Sequence, residues 1–265
     1  MLIIFLILGL IIGSFLNVVV YRLNKVESLL GRSHCPYCKK KIRWFDNIPL
    51  ASFIFLSAKC RDCGEKISWQ YPVMEMATGI IFALIGNYFF SSYDSSSWFL
   101  TAYYLVIFSL LLVIFMYDLK YMEIPMIILW VGMVISVVYF LPTDWQNFHI
   151  VASILDLKTI SGLVGGLVAF LFFFGLASYS KETWMGYGDA YIGLLSGFVV
   201  GWPNIVWTLM ISFTIGALVS VGLIISRKKT MKSQVPFAPF LISGVFLVII
   251  LPQIFPAMKY LFLYF

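Results

Sequence analysis

The chain has 265 residues, 62% of them hydrophobic and only 11% charged, with a formal net charge of +6 and a mean hydropathy of +0.97. These values exclude a soluble globular domain of this length and point to an all-helical polytopic membrane protein. In such a chain a pI near 9.1 reflects cationic loops facing anionic lipid, and nucleic-acid binding is a poor inference.

A hydrocarbon layer about 30 Å thick is crossed by about 20 apolar residues in a helix. Eight runs qualify as expected spans: 2–21, 72–92, 99–117, 124–141, 159–179, 188–202, 203–226 and 238–263. The first lacks a basic n-region and an Ala-x-Ala-like cleavage site before Arg22, so it reads as a retained helix and not as a signal peptide. The expected division is a first transmembrane helix (1–21), a hydrophilic insertion (22–71) and a transmembrane core (72–265). No internal repeat stands out.

Lys and Arg collect in cytoplasmic loops close to the membrane. Residues 22–71 hold ten of them, Arg227, Lys228, Lys229 and Lys232 add a basic run, and Lys120 and Lys181 fall beside two short connections. Sixteen of the eighteen cations thus share one side, with Lys158 and Lys259 opposite. Both termini are expected outside and every odd-numbered connection in the cytoplasm.

The insertion carries Cys35-Pro-Tyr-Cys38 and Cys60-Arg-Asp-Cys63, which are all the cysteines of the chain. Two Cys-x-x-Cys knuckles can present four thiolates tetrahedrally to zinc, and a closed set of four leaves no position for a substrate water, so the metal would be structural. Disulfides, or reduced metal-free knuckles, are the competing readings; a reducing cytoplasm disfavours the first. A segment of this size buries little core, so zinc would supply much of its folding free energy.

Two aspartates stand at the ends of apolar runs: Asp118, in Met-Tyr-Asp118-Leu-Lys, and Asp189, in Gly186-Tyr187-Gly188-Asp189. A carboxylate near hydrocarbon is destabilised, by roughly 3 kcal/mol or more at the bilayer centre, and marks a site or a polar pathway. Two on one face suggest an aspartyl dyad that shares a proton. One carboxylate would act as base on an attacking water and the other as acid on the scissile carbonyl. Gly186 and Gly188 are expected to let backbone approach the carboxylate and to supply positive φ where the chain enters the helix. Taken alone, Gly-x-Gly-Asp reads as well as a helix start capped by Asp189. Competing protease chemistries lack their residues. No His-Glu-x-x-His is present, His34 and His149 read as loop residues, Ser196-Gly197 has no basic partner in a span, and no cysteine is spare.

An ordered set of motifs covers nearly the whole chain. It comprises Gly13-Ser14-Phe15-Leu16-Asn17-Val18-Val19, the two knuckles, Trp44-Phe45-Asp46-Asn47-Ile48-Pro49, and Ile67-Ser68-Trp69-Gln70-Tyr71-Pro72 leading to Glu75. Then come Asp118 ahead of Ile124-Pro125, Gly186-Tyr187-Gly188-Asp189, and Pro236-Phe237-Ala238-Pro239-Phe240. In this order the chain resembles the bacterial prepilin peptidases, or type IV leader peptidases. The resemblance implies an inner-membrane enzyme that cuts the basic leader from prepilins and pseudopilins at the cytoplasmic face. It also implies N-methylation of the new terminus with S-adenosylmethionine. It carries Asp118 and Asp189 over as the catalytic pair and assigns the zinc-bearing loop to methyl transfer, although no glycine fingerprint marks a cofactor site.

Three positions depart from the family pattern. Met126 follows Ile124-Pro125 where Asp or Asn is common, Ala190-Tyr191 replaces Val-Lys, and Ala238 replaces a glycine. A cation at position 191 would bear on Asp189, so Tyr191 leaves the acid and base roles open. Asn17, Arg22, Asn47 and Glu75 are read as interfacial or helix-pairing residues, with Ser14 and Asn17 as lesser candidates for binding leader or methyl donor. Pro236 and Pro239 read equally as helix starters or as shapers of a substrate-binding backbone. Two other functions fit the same residues: an intramembrane aspartyl protease of another single-span substrate that does not methylate, and a non-catalytic scaffold whose zinc knuckles bind a partner.

Overall fold

The computed structural model describes residues 1–91, 94–147, 154–227, 234–255 and 258. The described residues form helices and turns, with two isolated β-bridges and no extended strand. His149, Lys228, Lys229, Lys232, Lys259 and the end of the eighth expected span lie outside them. Two compact units follow each other along the chain, Met1–Met116 and Tyr117–Phe265.

In the first unit, α1 (Leu2–Lys25) packs against α3 (Gln70–Phe89), and the cysteine-bearing segment with the short α2 (Ala51–Phe55) lies between them in sequence. The α1–α3 contact is backbone against backbone. A Cβ on Gly9 would sit 2.7 Å from the Thr78 carbonyl oxygen, and one on Gly13 would sit 2.8 Å from the Glu75 Cα. In lipid, where apolar side chains gain little from leaving their surroundings, such small-residue seams supply the packing that holds helices together. α4 (Ser95–Tyr121) begins in this unit and ends in the next.

The second unit continues with α5 (Met126–Asn147), α6 (Lys158–Ser180), α7 (Tyr187–Val200), α8 (Asn204–Ile225) and α9 (Ala238–Ile254). Its tightest seam is α6 on α7: a Cβ on Gly162 would lie 2.7 Å from the Phe198 carbonyl oxygen, and one on Gly166 2.8 Å from that of Leu194. The α7–α8 turn is tied to the same seam, because Ser161 Oγ donates to the Trp202 carbonyl at 2.9 Å and the Trp202 N–H donates to the Ser161 carbonyl at 3.0 Å.

A helix stands at each of the eight expected spans. Six are long and apolar enough to cross a bilayer; α7 and α9 are shorter apolar helices. The fourteen residues of α7 give roughly 21 Å of helix, less than the hydrocarbon thickness. Several helices outrun the expected spans, α1 to Lys25 among them, and two such differences have local consequences. α4 runs to Tyr121, so Asp118 is in its last turn. α5 continues through Pro142 to Asn147, with the Thr143 hydroxyl donating to the Phe140 carbonyl at 2.8 Å in the turn that holds the proline. Asp144 then accepts the N–H groups of Lys158 at 2.9 Å and Thr159 at 2.7 Å, capping α6 from the preceding helix.

Candidate active site and metal centre

Asp118 is buried, with 6% exposure. Its own carbonyl accepts the Met122 N–H at 2.9 Å, closing the helix end. The backbone N–H of Ala238, the first residue of α9, lies close to its carboxylate. The second carboxylate oxygen, Oδ2, is buried and has no hydrogen-bond partner among the described residues.

Asp189 is the third residue of α7. From there its carboxylate lies close to the N–H of Gly186, the residue that caps the helix, the placement of the acidic half of a capping box. Each aspartate therefore sits on a helix N-terminus, where unpaired N–H groups and the helix dipole favour negative charge. The two carboxylates are near enough for the charge of Asp118 to act on Asp189. The end of α4 and the starts of α7 and α9, distant in sequence, thus meet at one end of the second unit.

The two glycines before Asp189 are not equivalent. A Cβ on Gly188 would lie 2.7 Å from Ile124 Cδ1, so Gly188 lets the α4–α5 connection close onto the start of α7. Gly186 has φ −80° and no heavy atom closer than 3.9 Å to a built Cβ. The positive φ expected for this turn is absent at both residues; the chain enters α7 through an extended Gly186, which any residue can adopt. Tyr191 lies with its ring against Phe170 (centroids 5.6 Å) and Trp130 (6.4 Å), in an aromatic cluster of α5, α6 and α7. Two residues on in a helix is a rotation of roughly 200°, so this ring faces well away from the Asp189 side chain.

In the first unit Cys35, Cys38, Cys60 and Cys63 bring their sulfurs within 4.8 Å of one another. Cys35 and Cys63 Sγ stand 3.9 Å apart, close to the roughly 3.8 Å that tetrahedral ligands at about 2.3 Å from zinc would show. All four are free thiols. The backbone N–H groups of Cys63 and Asp62 draw the Cys60 thiol down to about 7, while, against the Glu65 N–H, burial and the neighbouring thiols push Cys63 up to about 12, so the four give up their protons together only to a metal. Thiolate donors in a closed set of four fit zinc.

The two knuckles repeat each other, contrary to the expectation of no internal repeat. Cys35 N–H donates to the Lys40 carbonyl, Lys39 N–H to Cys35 and Ile42 N–H to Ser33; Cys60 to Glu65, Gly64 to Cys60 and Ile67 to Ala58 reproduce these bonds. The bridges His34–Lys41 and Lys59–Lys66 correspond as well. Segments 33–42 and 58–67 therefore share one fold, but their sequence identity is confined to the cysteines and a few neighbours. Lys39, at φ 60°, stands where the second copy has Gly64, at φ 73°.

The polar residues around this centre are anchors. Arg22, 4% exposed, donates to the carbonyls of Ser28, Leu29, Gly31 and Arg32 at 2.7 to 3.3 Å, pinning the chain where it leaves α1. Glu75 accepts the Leu50 N–H at 2.8 Å and a hydrogen bond from Ser14. Asn17 Nδ2 donates to the carbonyls of Gly13 and Tyr71 at 3.2 Å. Arg61 grips Asp46 through Nε and Nη2, at 2.9 and 2.7 Å, and holds that carboxyl below its ordinary value. Snorkelling, expected for Arg22, is not what its guanidinium does. The run of carbonyls it satisfies left no trace in the sequence.

Residues 7–89 match the bacterial peptidase A24 N-terminal domain, and residues 105–221 match the type IV leader peptidase family. A prepilin leader peptidase/N-methyltransferase of Bacillus subtilis is 32% identical over 92% of this chain and 92% of its own length. One from Myxococcus xanthus is 30% identical over 83% of this chain; the match spans 62% of that longer protein. One from Pseudomonas aeruginosa is 28% identical over 88% of this chain and 84% of its own. No solved structure gives a significant match.

Proposed function

We infer the activity of this chain from one premise: it belongs to the type IV leader peptidase family. It cleaves the leader peptide from prepilins and N-methylates the new N-terminus, as the names of its relatives indicate. The observation that carries the peptidase assignment is the approach of Asp118 and Asp189 in the second unit, each beside a helix start, with the charge of Asp118 acting on Asp189.

Asp118 and Asp189 are proposed as the catalytic dyad. With one proton between them, the ionised carboxylate takes a proton from water as its oxygen attacks the scissile carbonyl, and the protonated one donates to the carbonyl oxygen. Collapse of the tetrahedral species breaks the C–N bond, and the departing nitrogen takes a proton to leave as an amine. Asp118 Oδ2, buried and unpartnered, is the oxygen with hydrogen-bonding capacity left for water or substrate. Gly188 positions the Asp189 turn against Ile124, and Gly186 provides the capping N–H.

Residues 22–71 act as a zinc-binding insertion with Cys35, Cys38, Cys60 and Cys63 as ligands, and residues 72–265 as the protease core. Zinc, when bound, supplies a fixed tetrahedral cross-link and no open coordination position. S-adenosylmethionine would donate the methyl group to the new amine. In a bacterial inner membrane, with the N-terminus outside, the cation distribution puts the insertion and both aspartates on the cytoplasmic side. A prepilin or pseudopilin there presents its basic leader in water and its apolar helix in lipid, with the scissile bond between.

The test is to incubate the purified, reconstituted protein with a prepilin and isotopically labelled methyl donor, and to read the product by mass spectrometry. A shortened, labelled N-terminus is expected. Cleavage without label would instead support a protease that does not methylate.

A further inference from the structure

We propose that α2 and its flanking aromatic residues form an interfacial membrane anchor, by which the cysteine-bearing segment lies on the lipid surface through Trp44, Ile54, Phe55 and Trp69. These side chains are 75%, 73%, 85% and 71% exposed. They belong to one local structure. Phe53 of α2 meets the Trp69 ring at 5.0 Å, the Ser52 hydroxyl donates to the Phe45 carbonyl at 3.0 Å, and Trp44 meets Phe45 at 5.6 Å.

The level of this patch relative to the membrane selects lipid as its occupant. Leu50, just before α2, donates its N–H to Glu75 at 2.8 Å. Glu75 lies about 7 Å along the axis of α3 from that helix's first residue, Gln70, at 1.5 Å per residue. The five residues of α2 then extend about 8 Å in any direction. Tethered at Glu75, α2 therefore stays close to the start of α3, a helix long and apolar enough to span a membrane. The polar layer of one leaflet is roughly 5 to 7 Å thick, so Ile54 and Phe55 lie within reach of it. Tryptophans at headgroup level and apolar residues beneath them are the pattern of interfacial helices. The charge agrees: residues 22–71 carry ten Lys and Arg against four Asp and Glu, which attracts anionic headgroups.

The experiment uses the full chain in liposomes of phosphatidylcholine and phosphatidylglycerol containing a phospholipid with a diazirine on its acyl chain. After irradiation, adducts are located by mass spectrometry. The expected result is labelling of Trp44, Ile54 and Phe55 alongside the exposed α1 residues Ile4, Ile7 and Ile11. Labelling of α1 with none on 44–55 would overturn the proposal and leave the patch to a protein partner. The double variant Ile54→Asp, Phe55→Asp should lower adduct yield on 44–55 about tenfold, the change that about 1.4 kcal/mol corresponds to, with α1 labelling and zinc content unchanged. An undiminished yield in that variant would also overturn it.

Discussion

The backbone N–H of Ala238 lies close to the Asp118 carboxylate, so the end of α4 and the first residue of α9 stand together. The group is a backbone one, independent of which side chain occupies position 238. A usual glycine can therefore give way to alanine here, and Ala238 is fully buried against its neighbours.

Replacing either aspartate tests the dyad. Asp118→Asn and Asp189→Asn keep shape but remove the exchangeable proton, and each should lower leader cleavage by about a thousandfold or more, at the scale of acid–base catalysis. Cleavage rate and zinc content are measured on the same preparations. Normal cleavage in both variants would return the aspartates to the role of helix caps.

The two glycines should separate. Gly188→Ala places a methyl group against Ile124 Cδ1 and should cost about tenfold to a hundredfold in kcat/KM, as small misplacements of catalytic groups do. Adding Ile124→Val removes that δ-carbon and should recover most of the loss. Gly186→Ala, with no close neighbour and an ordinary φ, should cleave at close to the wild-type rate.

The knuckle repeat predicts an asymmetry in zinc retention. Gly64→Val forces a β-branched residue to φ 73°, a strain of about 1 to 2 kcal/mol, and should weaken zinc binding by about five- to thirtyfold in a chelator competition. Lys39→Gly relieves a side chain already at φ 60° and should bind at least as well as wild type within about 1 kcal/mol. Cys60→Ser should reduce the zinc load outright; an undiminished load would remove zinc from the four cysteines.

Arg22→Lys should not replace arginine. One planar guanidinium serves four carbonyls of residues 28–32, and an ammonium lacks that spread of donors. The substitution should destabilise the α1 exit by at least about 1 to 2 kcal/mol, seen as faster hydrogen exchange across 26–34.

The helices were readable from the sequence because a span must satisfy its own backbone hydrogen bonds, and length and apolarity then mark it. The boundary errors had local causes. α5 passes Pro142, which removes one backbone donor without ending the helix, and α4 outlasts its apolar run by a turn. The knuckle repeat was invisible because a knuckle needs only its cysteines, a turn and a few backbone bonds. Thirty-four and 59, or 39 and 64, can therefore carry different residues on one fold.

The sequence by itself determined the class of the molecule, the candidate metal ligands and the two candidate carboxylates, since each is a matter of composition or of short spacing. Tertiary structure alone decided what touches those carboxylates: the Ala238 N–H on Asp118, the capping Gly186 N–H on Asp189, and Ile124 against Gly188. The reason is physical. Hydropathy and spacing are local along the chain, whereas the partners of a buried charge come from helix ends far apart in sequence and are fixed only when backbone seams such as α6 on α7 bring those ends together.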